Sequence, residues 1–266
     1  MPELPDVEIF RQYMNSTALH QKIDNVQVMD DALLGDVSSR SLQMQLKDQQ
    51  FESTKRHGKY LFAETDESDW LVLHFGMTGF LKYYKKNNES PAHTRVRFDF
   101  SNGYHLDYDC QRKLGFIDLV PNVDNYIQKK DLGIDPYKTP LDLGTLKELL
   151  KGRRGSIKSF LMNQSIIAGI GNIYSDEILF HAKVHPKSEA AKVDDAALKS
   201  MLHWLQKVCD TAIEQKADPS RLPDSYLLPH REEGATCPHC QHKIAKATIS
   251  GRSAYYCTHH QKLYSA

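Results

Sequence analysis

The sequence predicts an α+β protein with an N-terminal helix and β-sandwich domain, a second domain of α-helices, and a small metal-binding ribbon at the C-terminus. Three observations support this class. Short β-branched and aromatic segments, separated by turn residues, fill the first part of the chain. The apolar pattern becomes helical from Gly144 onward. Three of the five cysteines lie close together near the C-terminus.

The first domain opens with an amphipathic helix from about Pro5 to Met14, with Val7 and Phe10 on its apolar side. Strand-like segments follow, each short and bounded by turn residues: Lys22 to Met29, Tyr60 to Glu64, Trp70 to Phe75, Phe80 to Tyr84, Arg95 to Phe100 and Tyr104 to Tyr108. Segments of this kind pack face to face, so they predict a β-sandwich.

Between Pro121 and Leu143 the pattern weakens into proline- and asparagine-rich turns, which indicate a linker. Helical periodicity then predicts helices in the second domain around Leu146 to Leu150, Ile157 to Asn163, Asn172 to Ala182 and Ala196 to Lys216. We therefore predict a first domain at 1–125, a linker at 126–142, a helical domain at 143–230 and a ribbon at 231–266.

The composition is that of an ordinary globular protein, and it carries no net charge. Lys plus Arg and Asp plus Glu are 34 each among 266 residues, so a nucleic-acid partner would have to be bound by a local basic patch. The sequence has no apolar run near the ~20 residues that span a bilayer, and the N-terminus lacks the layout of a secretory signal. We therefore expect a cytoplasmic protein that does not bind a membrane. We also expect it to be a monomer.

The N-terminal octapeptide offers a nucleophile. Removal of Met1 would expose the secondary amine of Pro2 beside the carboxylate of Glu3. An α-amino group has an ordinary pKa near ~8, so roughly a tenth of it is neutral at pH 7, far more than of a lysine. Such an amine attacks an aldehyde-level carbon to give an iminium ion that favours elimination, and Glu3 could transfer the protons. The alternative is a plain helix start, which proline and acidic residues also suit.

The last residues have the spacing of a zinc site. Cys237-Pro238-His239-Cys240 and Cys257-Thr258-His259-His260 form two paired-ligand turns, and the strands predicted between them, Lys243 to Ile249 and Ser253 to Tyr256, flank a tip at Ser250-Gly251-Arg252. This predicts a zinc ribbon held by Cys237, Cys240, Cys257 and His260. His260 is preferred to His259 because it completes a two-residue gap after Cys257. A ribbon of this size needs the metal to fold.

Five motifs resemble one family, in family order and over almost the whole chain: the octapeptide, the lysine segment Lys55 to Leu61, the methionine loop Leu73 to Gly79, the segment Ser165 to Pro186 and the zinc ribbon. The octapeptide and the segment from Ser165 to Pro186 closely resemble the N-terminus and the helix-two-turn-helix signature of the formamidopyrimidine-DNA glycosylase and endonuclease VIII family, with the formamidopyrimidine branch the closer. Gly169 and Gly171 would allow a tight turn, and Asn172 would cap the next helix and leave its N–H groups open to a phosphate. A dinucleotide loop is disfavoured, because a helix precedes the glycines and the third glycine is missing.

The resemblance implies an activity and a set of catalytic residues. Members excise oxidised bases and then cut the backbone, which implies Pro2 as nucleophile and Glu3 as acid and base. Lys59, in the segment from Lys55 to Leu61, would support β-elimination, and Arg252 would contact phosphates and assist the second elimination. Lys55 is the less favoured lysine.

The resemblance also implies DNA contacts. The segment Leu73 to Gly79 is similar to the family's strand and wedge loop, with His74 facing DNA and Met77 entering the gap left by an everted base. The basic stretch from Lys151 to Lys158 suits phosphate neutralisation. The further positions implied to contact DNA are His93, Arg112, Leu114, Arg153, Lys158 and Asn172. Leu114 stands where many members of the formamidopyrimidine branch carry phenylalanine.

The implied partner is double-stranded DNA with oxidised bases or abasic sites. Binding to DNA would associate the protein with the nucleoid. The region Ala217 to Thr236 lacks the usual glycine-rich segment that covers 8-oxoguanine, so ring-opened purines, hydantoins and oxidised pyrimidines stay open as substrates. One alternative is a non-catalytic DNA-damage-binding protein of the same fold. A second, a zinc-ribbon interaction module, leaves the N-terminus unexplained.

Overall fold

The computed structural model describes residues 1–265, and the chain divides into two compact units. The first unit contains Met1–Pro2 and Asp6–Lys130, and the second contains Glu3–Pro5 and the chain from Asp131 onward. The change from one unit to the other at Lys130 falls inside the segment predicted as a linker, 126–142. The predicted α+β class is confirmed.

The first unit is a β-sandwich with flanking helices. Its helices are α1 (Leu4–Thr17, which starts on second-unit residues), α2 (Ser39–Leu46) and α3 (Val123–Lys129). Its strands are β1 (Ile23–Val28), β2 (Phe51–His57), β3 (Tyr60–Thr65), β4 (Trp70–His74), β5 (Gly79–Lys85), β6 (Thr94–Phe100), β7 (Tyr104–Cys110) and β8 (Phe116–Val120). They form antiparallel sheets of order β1-β6-β7-β5 and β2-β3-β4-β8.

Strand β4 shows why the sandwich has a covering helix. Leu71 and Leu73 face the main core between the sheets, while Trp70 and Val72 face a second cluster that includes Tyr126 of α3. A strand that is apolar on both faces must be covered on both. Helix α3, which lies in a region expected to be turns, provides the second cover.

The second unit is helical and ends in a hairpin. Its helices are α4 (Leu143–Leu150), α5 (Ile157–Leu161), α6 (Asn172–His181) and α7 (Asp195–Glu214), and its strands are β9 (Ile244–Ile249) and β10 (Arg252–Cys257). Helix α6 is buried from Tyr174 to His181, so it is the central helix of this unit. Among the residues described, none of the helices combines the length and apolar character that crossing a bilayer requires.

Candidate functional site

Glu3 is buried and caps helix α6. Its Oε2 accepts hydrogen bonds from the backbone N–H groups of Gly171 at 2.8 Å and Tyr174 at 3.2 Å, and its Oε1 accepts one from Ile173 at 2.9 Å. The first N–H groups of a helix lack intrahelical partners and carry a partial positive charge, so a carboxylate is stabilised there. The residue that follows Pro2 in the chain is thereby held rigidly in the second unit.

This arrangement corrects the prediction for Asn172. The N-cap of α6 is Gly171, no side chain caps the helix from that position, and Asn172 is the first helical residue. Its Oδ1 is buried without a hydrogen-bond partner among the residues described. The expected cap and the expected open N–H groups were wrong, because the carboxylate of Glu3, distant in sequence, occupies the groups that a phosphate was expected to contact.

Lys158 is also placed differently from the prediction. Its side chain is fully buried, its amine pairs with the carboxylate of Asp176, and it donates a hydrogen bond of 3.0 Å to the carbonyl of Asn172. Burial lowers the pKa of Lys158, against the opposing charge of Asp176. An amine occupied in this way does not present itself on the surface to a DNA phosphate, so we remove Lys158 from the basic patch.

In the first unit, Lys59 lies in the tight turn that joins β2 to β3, where His57 pairs with Tyr60 and Gly58 has a φ of +56°. Arg56 donates from Nη1 to the carbonyl of Gly58 at 3.1 Å and from Nε to Glu8 at 3.0 Å. Burial opposes ionisation of Glu8, but hydrogen bonds and charges of Arg11 and Arg56 lower its pKa overall. The ion pair between α1 and β2 therefore supports the turn that carries Lys59.

His74 ends strand β4 inside an aromatic cluster. Its ring lies 4.9 Å from that of Tyr60 and 5.3 Å from that of Phe116, nearly parallel to the latter. Burial, together with the positive charges of Lys59 and Lys130, lowers the pKa of His74 to about 4. The imidazole is therefore neutral at physiological pH.

Two interlocked loops expose the predicted wedge. Gly76 has a φ of +57°, and a Cβ there would overlap the backbone of Leu114. The backbone N–H of Arg112 donates to Thr78 Oγ1 at 3.0 Å. This packing leaves Met77 38% exposed and Leu114 52% exposed, so two apolar side chains on adjacent loops are accessible to a partner.

The remaining DNA-binding candidates lie in three other places. His93 is half-buried, and its backbone N–H donates to Asp109 at 2.7 Å. Arg153 is exposed beyond α4, with Nε donating to the carbonyl of Leu149. Arg252 is exposed beside the Ser250-Gly251 turn, as the sequence predicted for the ribbon tip, and Ser250 Oγ lies 2.7 Å from Ser159 Oγ.

The four predicted metal ligands come together. One candidate ligand atom from each of Cys237, Cys240, Cys257 and His260 lies within 4.8 Å of all the others. His260 turns Nδ1 toward Cys237 Sγ at 3.4 Å, while its Nε2 lies 3.2 Å from the carbonyl of Phe180. Burial lowers the pKa of His260, which favours the neutral imidazole that ligates metals. The donor set and its spacing therefore fit a metal ion.

His259 does not join this cluster. Its ring is exposed and stacks on that of His242 at 3.8 Å. The geometry therefore groups His260, and not His259, with the three cysteines, in line with the preference for His260.

Sequence reasoning missed two supporting ion pairs. One joins Glu8 to Arg56 and the other joins Asp176 to Arg231. A signal was present for the second, because Asp176 and Glu177 are acidic residues within a segment that is otherwise apolar. Their partners could not be found from spacing, because they lie on distant segments.

Comparisons with known proteins agree along the chain. The model of the formamidopyrimidine-DNA glycosylase N-terminal domain matches residues 1–117, and that of the H2TH domain of the same enzymes matches residues 132–224. The formamidopyrimidine-DNA glycosylase of Pelotomaculum thermopropionicum is 32% identical over 275 residues, covering 99% of this chain and 100% of the relative. That of Mycoplasma genitalium is 30% identical, covering 99% of this chain and 96% of the relative.

Solved structures show the same likeness. The Lactococcus lactis formamidopyrimidine-DNA glycosylase, bound non-covalently to DNA with an abasic site, aligns with a TM-score of 0.89 at 26% identity, covering 98% of this chain and 99% of that chain. The same enzyme with DNA containing an N7-benzyl formamidopyrimidine lesion aligns with a TM-score of 0.90 at 25% identity, covering 98% and 100%.

A β-sandwich, a helix-two-turn-helix domain and a terminal Cys/His cluster define a DNA glycosylase of base excision repair. The formamidopyrimidine-DNA glycosylases named above match this chain over nearly its whole length, which identifies its family within this class. The chain belongs to the formamidopyrimidine-DNA glycosylase family.

Proposed function

We propose that the protein is a bifunctional DNA glycosylase and abasic-site lyase that excises oxidised bases through a Schiff base at Pro2. The observation that carries the proposal is the fixation of Glu3, the residue after Pro2, by three backbone N–H groups of α6 and its preceding turn. A carboxylate held within one residue of a secondary amine can transfer protons during attack and elimination. Because Glu3 also caps α6, its catalytic role is tested separately from its structural one by Glu3→Gln.

The chemistry follows from the amine. After removal of Met1, the Pro2 nitrogen attacks C1′ of an everted nucleotide, the damaged base leaves with a proton, and the sugar ring opens to an iminium ion. Loss of a C2′ proton then expels the 3′ phosphate, and a second elimination expels the 5′ phosphate. We assign support of the first elimination to Lys59 and of the second to Arg252.

The exposed side chains fall into two groups: those that would insert where the nucleotide is everted, and those that would contact the DNA backbone. Met77 and Leu114 would fill the space that the everted nucleotide leaves, because they are the exposed apolar residues of the two interlocked loops. Arg112, Arg153 and Arg252 would contact phosphates of double-stranded DNA, and we assign a further DNA contact to His93. The proposed substrates are ring-opened purines, hydantoins and oxidised pyrimidines.

We propose zinc as the occupant of the Cys/His cluster. Three thiolates and one neutral imidazole suit tetrahedral Zn²⁺, and a closed set of four protein ligands is that of a structural ion. The hydrogen bond from His260 to Phe180 would orient the imidazole. The ion would hold the ends of the hairpin strands together and take no part in proton transfer.

Borohydride trapping tests the nucleophile. The wild-type chain, with Met1 shown to be absent by mass spectrometry, is incubated with a duplex that contains an abasic site and then reduced. We expect a covalent complex with wild type and with Pro5→Gly, and far less with Pro2→Gly. Equal trapping by Pro2→Gly, with loss of trapping in Lys59→Ala, would move the nucleophile to Lys59.

A further inference from the structure

The carboxylate of Asp176 connects three separate segments of the second unit. It is fully buried in α6, with Oδ1 pairing with the amine of Lys158. Its Oδ2 accepts hydrogen bonds from Arg231, at 3.1 Å from Nε and 2.8 Å from Nη2, and from the backbone N–H of Tyr255 at 3.2 Å. A single side chain therefore joins helix α6 to strand β10.

Arg231 reinforces the same connection. Its Nη2 lies 3.4 Å from the carbonyl of Ser253, and its guanidinium lies over the ring of Tyr255 at 4.6 Å. Asp176 and Arg231 thus contact the backbone of β10 at Tyr255 and Ser253. Arg252 is the residue immediately before Ser253.

The two ends of β10 are held in different ways. Cys257 belongs to the metal cluster and to a small apolar core with Phe180 and Ile244. Arg252 lies five residues away, roughly 17 Å along an extended strand, so the cluster alone cannot fix its position. Pairing with β9 reaches this end, where Arg252 lies opposite Ile249, but it fixes the two strands only relative to each other. Contacts of this end with the helices are made by Asp176 and Arg231 and by the pair of hydroxyls at Ser159 and Ser250.

The same helix holds the acid of the proposed reaction. Glu3 accepts hydrogen bonds at the start of α6, and Asp176 lies in the following turn. The carboxylate of Asp176 therefore attaches β10 to the same helix that holds Glu3. Its carboxylate contacts two cations, Lys158 and Arg231, so substitution of either one leaves Asp176 paired with the other.

We propose that Asp176 and Arg231 are positioning residues that fix strand β10, and with it Arg252, relative to helix α6. The inference rests on the proposed function insofar as Arg252 assists the second elimination. Loss of the Asp176–Arg231 contact leaves the Schiff base at Pro2 intact and slows the second elimination, so that the product of the first elimination accumulates.

The test compares Arg231→Met with Arg231→Lys and with Arg221→Met, which removes an exposed arginine of the same unit. Products from an abasic-site duplex are resolved under single-turnover conditions. For Arg231→Met we expect at least a fivefold rise in the ratio of β- to δ-elimination product, with trapping and metal content within twofold of wild type. Arg231→Lys should be intermediate, because it keeps the charge and loses the two-pronged contact, and Arg221→Met should match wild type.

A double-substitution cycle separates positioning from general damage. In an Arg252→Ala background, Arg231→Met should change the product ratio no further, because the group that it positions is already gone. An Arg231→Met variant with an unchanged product ratio overturns the proposal, as does a full additional effect in the Arg252→Ala background.

Hydrogen exchange provides a readout that does not depend on the reaction. In Arg231→Met we expect faster exchange at the amide of Tyr255, which donates to Asp176, while the amide of Cys257, which donates to Gln261, stays protected. Unchanged protection at Tyr255 overturns the positioning role even if activity is lost. A wild-type chain that forms no trapped complex contradicts the proposed function, whereas the exchange result still decides whether Arg231 fixes the strand.

Discussion

The carboxylate of Glu3 accepts a hydrogen bond of 2.8 Å from the backbone N–H of Gly171, 168 positions further along the chain. The backbone N–H of Leu4 also donates to the carbonyl of Gly169 at 3.0 Å. The segment that follows Pro2 is thus fixed through both its backbone and its side chain. A nucleophile at a chain end would otherwise be mobile, because termini lose their order unless they are held by such contacts.

Glu3→Ala and Glu3→Gln should separate the two roles of this carboxylate. Glu3→Ala leaves the buried N–H groups of α6 without an acceptor, so it should lower the free energy of unfolding by about 2 kcal/mol. Glu3→Gln keeps one acceptor oxygen and should lose less stability. Both should lose base excision to a similar degree, because neither can transfer a proton. Denaturant unfolding and single-turnover excision measure the two effects, and near-wild-type excision by Glu3→Gln contradicts the assigned role.

The Cys/His cluster should bind one zinc ion per chain. Cys237→Ser and His260→Ala should release it, because each removes a ligand from a closed set of four, and both should weaken DNA binding while the sandwich unit stays folded. His259→Ala is the matched control, since its exposed ring stacks on His242 and should leave zinc content unchanged. Atomic spectroscopy measures the zinc content of each variant. Zinc loss in His259→Ala, with zinc retained in His260→Ala, would make His259 the fourth ligand.

DNA binding should weaken with salt although the net charge is zero. Three exposed arginines, Arg112, Arg153 and Arg252, predict a slope near −2.7 in a plot of log affinity against log salt, and each alanine substitution should reduce it by about 0.9. Lys158→Met should leave the slope unchanged and cost about 1–3 kcal/mol of stability, because Asp176 loses one buried partner and keeps Arg231. Fluorescence anisotropy at several salt concentrations measures the slope, and a reduced slope in a folded Lys158→Met variant would restore the discarded contact.

His74 should make the first unit sensitive to acid. Its folded pKa of about 4 lies below the ordinary value of 6.5, so the unfolded chain binds the proton more readily and stability falls as the pH drops from 6.5 toward 4. The expected loss is at most about 3 kcal/mol, with no contribution above pH 7. His74→Phe keeps an aromatic ring against Phe116 and should flatten this dependence. Urea unfolding at pH 4.5 and 7 tests it, and equal pH dependence in both chains would show that His74 is not the cause.

Gly76→Ala should disturb the loop that exposes Met77. The added Cβ would overlap the backbone of Leu114, and the alanine would have to keep a positive φ. We therefore expect the free energy of unfolding to fall by more than about 2 kcal/mol and the binding to lesion DNA to weaken. Gly103→Ala is the control, because it also has a positive φ but a Cβ there meets no neighbouring atom within 4 Å. It should cost only about 1 kcal/mol and leave DNA binding intact. Equal effects of the two substitutions would mean that backbone strain alone, and not the contact with Leu114, matters.

The local pattern was sufficient for most elements. Alternating and β-branched segments marked β1, β3, β4, β5, β6 and β7, because the side-chain period of a strand is visible in sequence. Strand β2, Phe51–His57, escaped because it is mostly polar and is recruited by pairing with β3. The short strand β8, Phe116–Val120, was also missed, although it is mostly apolar, because its five residues become a strand by pairing with β4. Strand pairing is a non-local interaction, so a short window cannot reveal it.

The sequence by itself determined the parts of the site that depend on spacing: the amine that Pro2 would expose, the ligand turns around Cys237 and Cys257, and the choice of His260. Only the tertiary structure decided what the polar groups contact. It assigned the N–H groups of α6 to Glu3 and the amine of Lys158 to Asp176, where the sequence had indicated phosphate. The physical reason is that a buried polar group must find a partner, and the folded chain supplies that partner from segments far apart in sequence.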